Sequence, residues 1–175
     1  AVFVLTPGQW QKHLESPNKI SFLFDNLAAL SEDLAQINVP LKILSCDTFA
    51  QVPGILLRAC EDWRIDSLWF NRELLLNEVV RDENVTKLLN SARIHVRPQS
   101  ADVIHQPDQL KNKSGDHYRV FTPFYKAWIA KLPETSIEPL PQPKKQDSLT
   151  IVGDQIPVEL PGWTLTHRND LWPAG

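Results

Sequence analysis

Ala1-Val2-Phe3-Val4-Leu5 opens the chain as an unbroken apolar run, and Thr6-Pro7-Gly8 halts it. A run rich in β-branched residues and without polar alternation predicts a strand buried on both faces, as in a parallel sheet. Ser16-Pro17 then reads as an N-cap followed by a first helical position. Ile20, Leu23, Phe24, Leu27, Leu30, Leu34 and Ile37 follow at steps of three or four, the spacing of one helical face. Val39-Pro40 ends that helix. Leu41 to Leu44 predicts a second strand, and Val52, Ile55, Leu56, Ala59 and Trp63 mark the next helix, with Pro53 tolerable only near its start. Ser67 to Asn71 is a third strand, a helix runs from about Glu73 to Leu89 with a break near Asn84, and Arg93 to Val96 is a fourth strand. Regular alternation of strand and helix predicts an α/β domain, a parallel sheet with helices on both faces.

Beyond Val96 the pattern changes. Most of the 14 prolines lie there, and one convincing helix remains, near Thr122-Pro123. Pro disfavours a helical conformation in the residue before it, so Thr122 is expected as the N-cap. Phe124, Ala127, Trp128, Ile129 and Leu132 then form one apolar face. Pro139 to Pro143, followed by Lys144-Lys145-Gln146-Asp147-Ser148, reads as an extended solvated linker. The expected division is an α/β domain over residues 1–132 and a proline-rich connector over 133–175.

At 175 residues the chain has the size of one globular domain. Its net charge of −3 offers no long-range attraction to phosphate backbones, so a free-standing nucleic-acid binder is not expected. Cys46 and Cys60 have no Cys or His at metal-ligand spacing and are expected as reduced, buried thiols. No apolar run reaches the roughly 20 residues of a membrane span, so the expected location is the cytoplasm. The first residue is Ala1 and the sequence contains no Met, which leads to the expectation of a piece of a longer protein.

Motifs for chemistry are few. The glycine-rich cradles G-x-G-x-x-G and G-x-x-x-x-G-K-[ST] are absent, as is a G-x-S-x-G elbow. His13, His95, His105, His117 and His167 are scattered, with no ligand spacing and hence no expected metal. The segment Asn71 to Asp82 follows the end of a strand, where ligands sit in open α/β sheets. Within it Asn77 can donate and accept hydrogen bonds, and Glu78 can only accept, which suits the N–H edge of a heterocycle. The competing reading is a solvated helix face, with Glu78 and Arg81 or Asp82 pairing locally. Tyr118, Phe121, Phe124 and Trp128 divide between an aromatic relay and simple packing, and helix-face spacing favours packing against the sheet or a following domain.

Tyr118-Arg119-Val120-Phe121-Thr122-Pro123-Phe124, with Trp128 after it, resembles the Y-[KR]-V-F-T-P-F-x-x-x-W segment of the DNA photolyase and cryptochrome family. Ala1 to Thr6 with Pro7 and Gln9-Trp10, the Ser16-Pro17 helix start, and Asn77-Glu78 with Arg81-Asp82 are similar to bacterial members in the same order, and Leu171 to Gly175 resembles the family's junction with a helical domain. The resemblance implies a Rossmann-like, doubly wound sheet of order 3-2-1-4-5. The family's first strand, the central one, has no counterpart here. It also implies a role as the N-terminal antenna domain of a deoxyribodipyrimidine photolyase. In such proteins a C-terminal helical domain binds FAD and damaged DNA and splits pyrimidine dimers with light, so this stretch alone is expected to be inactive. Methenyltetrahydrofolate, the common bacterial antenna, would lie between the domains with Asn77 and Glu78 on its pterin. A cryptochrome-like blue-light signalling protein, or a generic nucleotide-binding or partner-docking α/β module, are the alternatives.

Overall fold

The computed structural model describes residues 1–134 and 140–175. Four strands alternate with helices: β1 (Val2–Leu5), α1 (Pro7–Lys12), α2 (Pro17–Gln36), β2 (Lys42–Ser45), α3 (Val52–Asp62), β3 (Ser67–Asn71), α4 (Leu76–Ser91) and β4 (His95–Gln99), followed by α5 (Phe121–Lys131). All strand pairing is parallel, the α/β architecture that the alternation predicts. Ser16 caps α2 as its sequence implies, its hydroxyl accepting from the Asn18 N–H.

The ladder is interrupted. β1 pairs with β2 and β3 pairs with β4, giving two half-sheets. Apart from isolated pairs, Cα atoms of β1 and β3 stand more than 8 Å apart, whereas paired strands lie about 4.8 Å apart. Direct pairing of the two inner strands, one way of closing the gap, does not occur. Two cores lie on opposite faces. Phe3, Leu5, Leu41 and Ile43 pack with Ile20, Phe24 and Leu27 of α2; Val4, Leu68, Phe70 and Val96 pack with Val52, Cys60, Val85 and Leu89 of α3 and α4. Successive residues of β1 therefore serve different cores, as the alternation of side chains along a strand requires.

Local boundaries differ from expectation in three places. β4 spans His95–Gln99 and runs through Pro98, later than the expected Arg93 to Val96, because Arg93 takes a positive φ of 64° in the turn that leaves α4. α4 starts at Leu76 and passes Asn84 unbroken. α5 starts at Phe121 with Val120, not Thr122, as its N-cap; Pro123 then falls inside the first turn, where its missing N–H has no helical acceptor to lose.

Part of the expected connector, 135–139, including the first residue of the expected linker, lies outside the described residues. After it the chain returns to the domain. Gln146 exchanges hydrogen bonds with Asn38, a residue at φ 60° in the turn after α2. The Asp154 N–H donates to Leu41 O at 2.8 Å, its carboxylate accepts from the Ile43 N–H at 2.9 Å, and Lys42 pairs with it. Ile156, Leu160, Trp163 and Leu165 then join the core of α2, and the Thr166 N–H donates to the Ser21 hydroxyl.

Burial alone would raise the Asp154 pKa, but the bonds from Lys42 and Ile43, with the Lys42 charge, hold it below the ordinary 3.8. A depressed carboxylate stabilises the fold above its unfolded pKa, and that contribution fades as pH falls through the depressed value. Asp154→Asn is expected to lower stability by about 1 kcal/mol or less at pH 7, the scale of a part-exposed ion pair. In urea titrations the gap between variant and parent should close as pH falls below 3.8. A gap that does not vary with pH would show that the carboxylate charge holds nothing.

Candidate functional site

The loops leaving the carboxyl ends of β1 and β3 face each other across one cavity of about 1010 Å³. Pro7 and Gly8 turn β1 directly into α1. At Gly8 a Cβ would lie 2.1 Å from Asp47 Oδ1, so the turn approaches the β2 loop closely, and the Gln9 N–H donates to Asp47 O at 2.9 Å. On the opposite side the Glu73 N–H donates to Asp82 Oδ2 at 3.2 Å, fastening the loop after β3 to α4. The N-cap of α4 is Leu75, which has no side chain to cap with, so the first-turn N–H groups keep their partial positive charge at this mouth.

Asn77 and Glu78 stand on that first turn and line the cavity, where their sequence position places them. The Asn77 amide nitrogen lies 3.3 Å from His13 Nε2, a contact that spans the two loops. Glu78 is half-buried and enters no ion pair among the described residues. The local pairing left open by the sequence goes elsewhere: Arg81 donates through Nε and Nη2 to Asp82 Oδ1 at 2.9 and 2.7 Å. Its guanidinium also lies 4.9 Å from the Phe49 ring centre, a cation–π distance. With Arg81 committed to Asp82 and Phe49, the Glu78 carboxylate remains available to a ligand.

The volume is at the upper end of small-molecule pockets, which run to about 1,000 Å³. Apolar walls from Trp10, Leu75 and Leu76, with an amide, a carboxylate and a helix start at one end, can hold a flat heterocycle by its N–H edge. His13 and Trp10 escaped the sequence reading. The rule that placed Asn77, that ligands gather at strand carboxyl ends, applies equally to the β1–α1 loop and would have found them.

The aromatic group lies elsewhere. Tyr118 meets Phe124 edge-on at 6.2 Å, Phe121 stacks on Tyr125 at 5.8 Å, and Trp128 meets His105 edge-on at 5.2 Å. Tyr118, Phe124 and Trp128 line a separate cavity of about 540 Å³, and Phe121 is 73% exposed. Asn77 and Glu78 share no wall with it. Burial raises both thiol pKa values, aided by Asp47 at Cys46 and Glu61 at Cys60, so neither cysteine is an activated nucleophile.

Comparison with known proteins places this geometry. The family model described as DNA photolyase matches residues 1–144. A deoxyribodipyrimidine photo-lyase of Salmonella typhimurium is 31% identical over 91% of this chain and 33% of its own length. Among solved structures, a bacterial class III photolyase from Agrobacterium tumefaciens superposes with a TM-score of 0.61 at 23% identity, over 98% of this chain and 31% of its own. An archaeal photolyase from Sulfolobus tokodaii, solved with two FAD molecules, gives 0.59 at 20%, over 87% and 31%. The two structures share the Rossmann-like α/β fold with this chain, and the chain spans about a third of each relative.

Proposed function

This chain belongs to the DNA photolyase family, and on that premise we propose that it is the antenna domain of a deoxyribodipyrimidine photo-lyase. Residues 1–132 form the α/β body and 133–175 the connector to a helical domain that carries FAD and engages pyrimidine dimers in DNA. In this reading the chain catalyses nothing itself. Its task is to hold a pigment at the mouth of the cavity, and that pigment, when bound, absorbs light and passes the excitation to the flavin.

The observation that carries the reading is Glu78, a half-buried acceptor left without a partner among the described residues because Arg81 is taken by Asp82. A pterin such as that of methenyltetrahydrofolate presents N–H donors along one edge. Glu78 would accept from that edge, the Asn77 amide would both donate and accept, and Trp10, Leu75 and Leu76 would cover the ring faces. The relative with the highest identity quoted above is named a photo-lyase, which favours repair over light signalling. The Sulfolobus protein's two FAD molecules make a second flavin the competing pigment.

In the complete flavoprotein, Glu78→Ala is expected to weaken folate retention at least tenfold, about 1.4 kcal/mol, the scale of one charge-assisted hydrogen bond. Flavin content should not change. Absorption spectra of the purified pair decide the matter: equal folate in both proteins would reject the role of Glu78, and a second equivalent of flavin with no folate would reassign the pigment.

A further inference from the structure

One wall of the cavity stands on a helix too short to hold itself. Gln9, Trp10 and His13 line the cavity from α1, which spans six residues and has no side-chain cap at Thr6. Helices of this length persist through tertiary packing and not through their own propensity. Near its start α1 is tied by the Gln9 N–H, which donates to Asp47 O at 2.9 Å. Its other side meets the segment that returns over α2. Trp163 stands edge-on to Trp10, the ring centres 6.4 Å apart and the planes at 83°. Gly162, at φ 81°, brings that backbone so close that a Cβ would lie 3.1 Å from Gln11 Nε2.

The returning segment is fixed independently of α1. Leu160 is buried in the core of α2, the Trp163 N–H closes a turn by donating to Leu160 O at 3.0 Å, and the Thr166 N–H reaches the Ser21 hydroxyl at 2.8 Å. Trp163 is thus held from both sides before it touches Trp10. Its indole N–H is buried and has no hydrogen-bond partner among the described residues. An unmade buried bond costs free energy that contact must offset, so the ring is placed there for its packing surface.

We propose that Trp163 is a positioning residue for the pigment site: it braces Trp10 from behind, so that docking of the returning segment sets how firmly the cavity grips its ligand. The inference rests on the pigment reading given above, while the brace itself is read from the packing of α1. Trp163 does not line the cavity and reaches the ligand only through Trp10. Its effect on binding should therefore vanish where Trp10 is absent, which separates a brace from general support of the fold.

The test uses the complete flavoprotein, stripped of folate and titrated with methenyltetrahydrofolate, whose near-ultraviolet absorption reports occupancy. Trp163→Ala is expected to weaken binding about tenfold, the worth of one aromatic edge contact. It should also quicken amide exchange at Trp10 and His13, whose N–H groups donate to Thr6 O and Gln9 O within α1. Trp163→Phe keeps a ring on Trp10 and loses the unpartnered N–H, so binding and exchange should stay near the parent's. In a Trp10→Ala background, Trp163→Ala should weaken binding by no more than about twofold further. Leu27→Ala, a core change on α2, should lower the urea midpoint and leave both readouts near the parent's. Unchanged exchange in Trp163→Ala would overturn the proposal, as would faster exchange with unchanged binding. The full loss recurring in the Trp10→Ala background, or an equal loss in Leu27→Ala, would overturn it in favour of general support of the fold. A parent that takes up no folate rejects the pigment reading and the proposal with it; normal uptake by parent and Trp163→Ala alike rejects the brace alone.

Discussion

Leu160→Ala is expected to cost about 2–4 kcal/mol of stability, the usual range for emptying a buried leucine site. Leu160 belongs to the proline-rich connector expected over 133–175, yet it is 7% exposed and packs among Leu5, Ile20, Phe24, Leu27 and Leu41. The cost arises because it closes the core of α2 from the side that the half-sheet leaves open, and neighbours fixed by α2 and β1 can refill the space only partly. Leu140→Ala is the control: that side chain is 92% exposed, and its loss should change stability by no more than about 0.5 kcal/mol. Urea titrations of both variants and the parent measure the difference. A Leu160→Ala midpoint matching that of Leu140→Ala would mean that the strap does not rest on the domain in solution.

Asp82→Ala should cost about 2–3 kcal/mol, because it strips one acceptor from the Arg81 guanidinium and from the Glu73 N–H together. Asp82 is 8% exposed, so water does not readily replace it. Asp82→Asn keeps an acceptor oxygen and should lose less. The substitution also reaches the candidate site. Arg81 and Glu78 are three residues apart on one helix, a spacing at which opposite charges meet. Released from Asp82, Arg81 turns to Glu78 and occupies the acceptor assigned to the pigment. Pigment retention in the complete flavoprotein should therefore fall with Asp82→Ala and recover in the Arg81→Ala, Asp82→Ala double variant, while stability stays low. If the double variant retains no more pigment than the single one, Arg81 is not what restrains Glu78.

The candidate site was partly legible. Asn77 and Glu78 could be located because a strand end is a local signal and the end of a strand is where an open sheet has room. His13 was not found, because its meeting with Asn77 joins loops 64 residues apart, and no local pattern records that. The sequence also left Arg81 with two candidate partners, Glu78 and Asp82. Arg81 bonds to its immediate neighbour, because the Glu73 N–H and the Phe49 ring hold Asp82 and Arg81 in place from other elements.

Periodicity and prolines determined the elements, since the conformations they select cost or gain free energy within a few residues: the α2 face from Ile20 to Leu27, its Ser16 cap, and the parallel β/α alternation were all readable in advance, whereas Leu30, on the same expected face, is exposed. The V-F-T-P-F segment was enough to place the family. Three features emerged only from tertiary structure: the division of the sheet between β1 and β3, the return of 146–166 onto β2 and α2, and the separation of the aromatic cluster from the crevice. Each depends on which distant backbone and side-chain groups find partners, and that is settled by packing the whole chain at once.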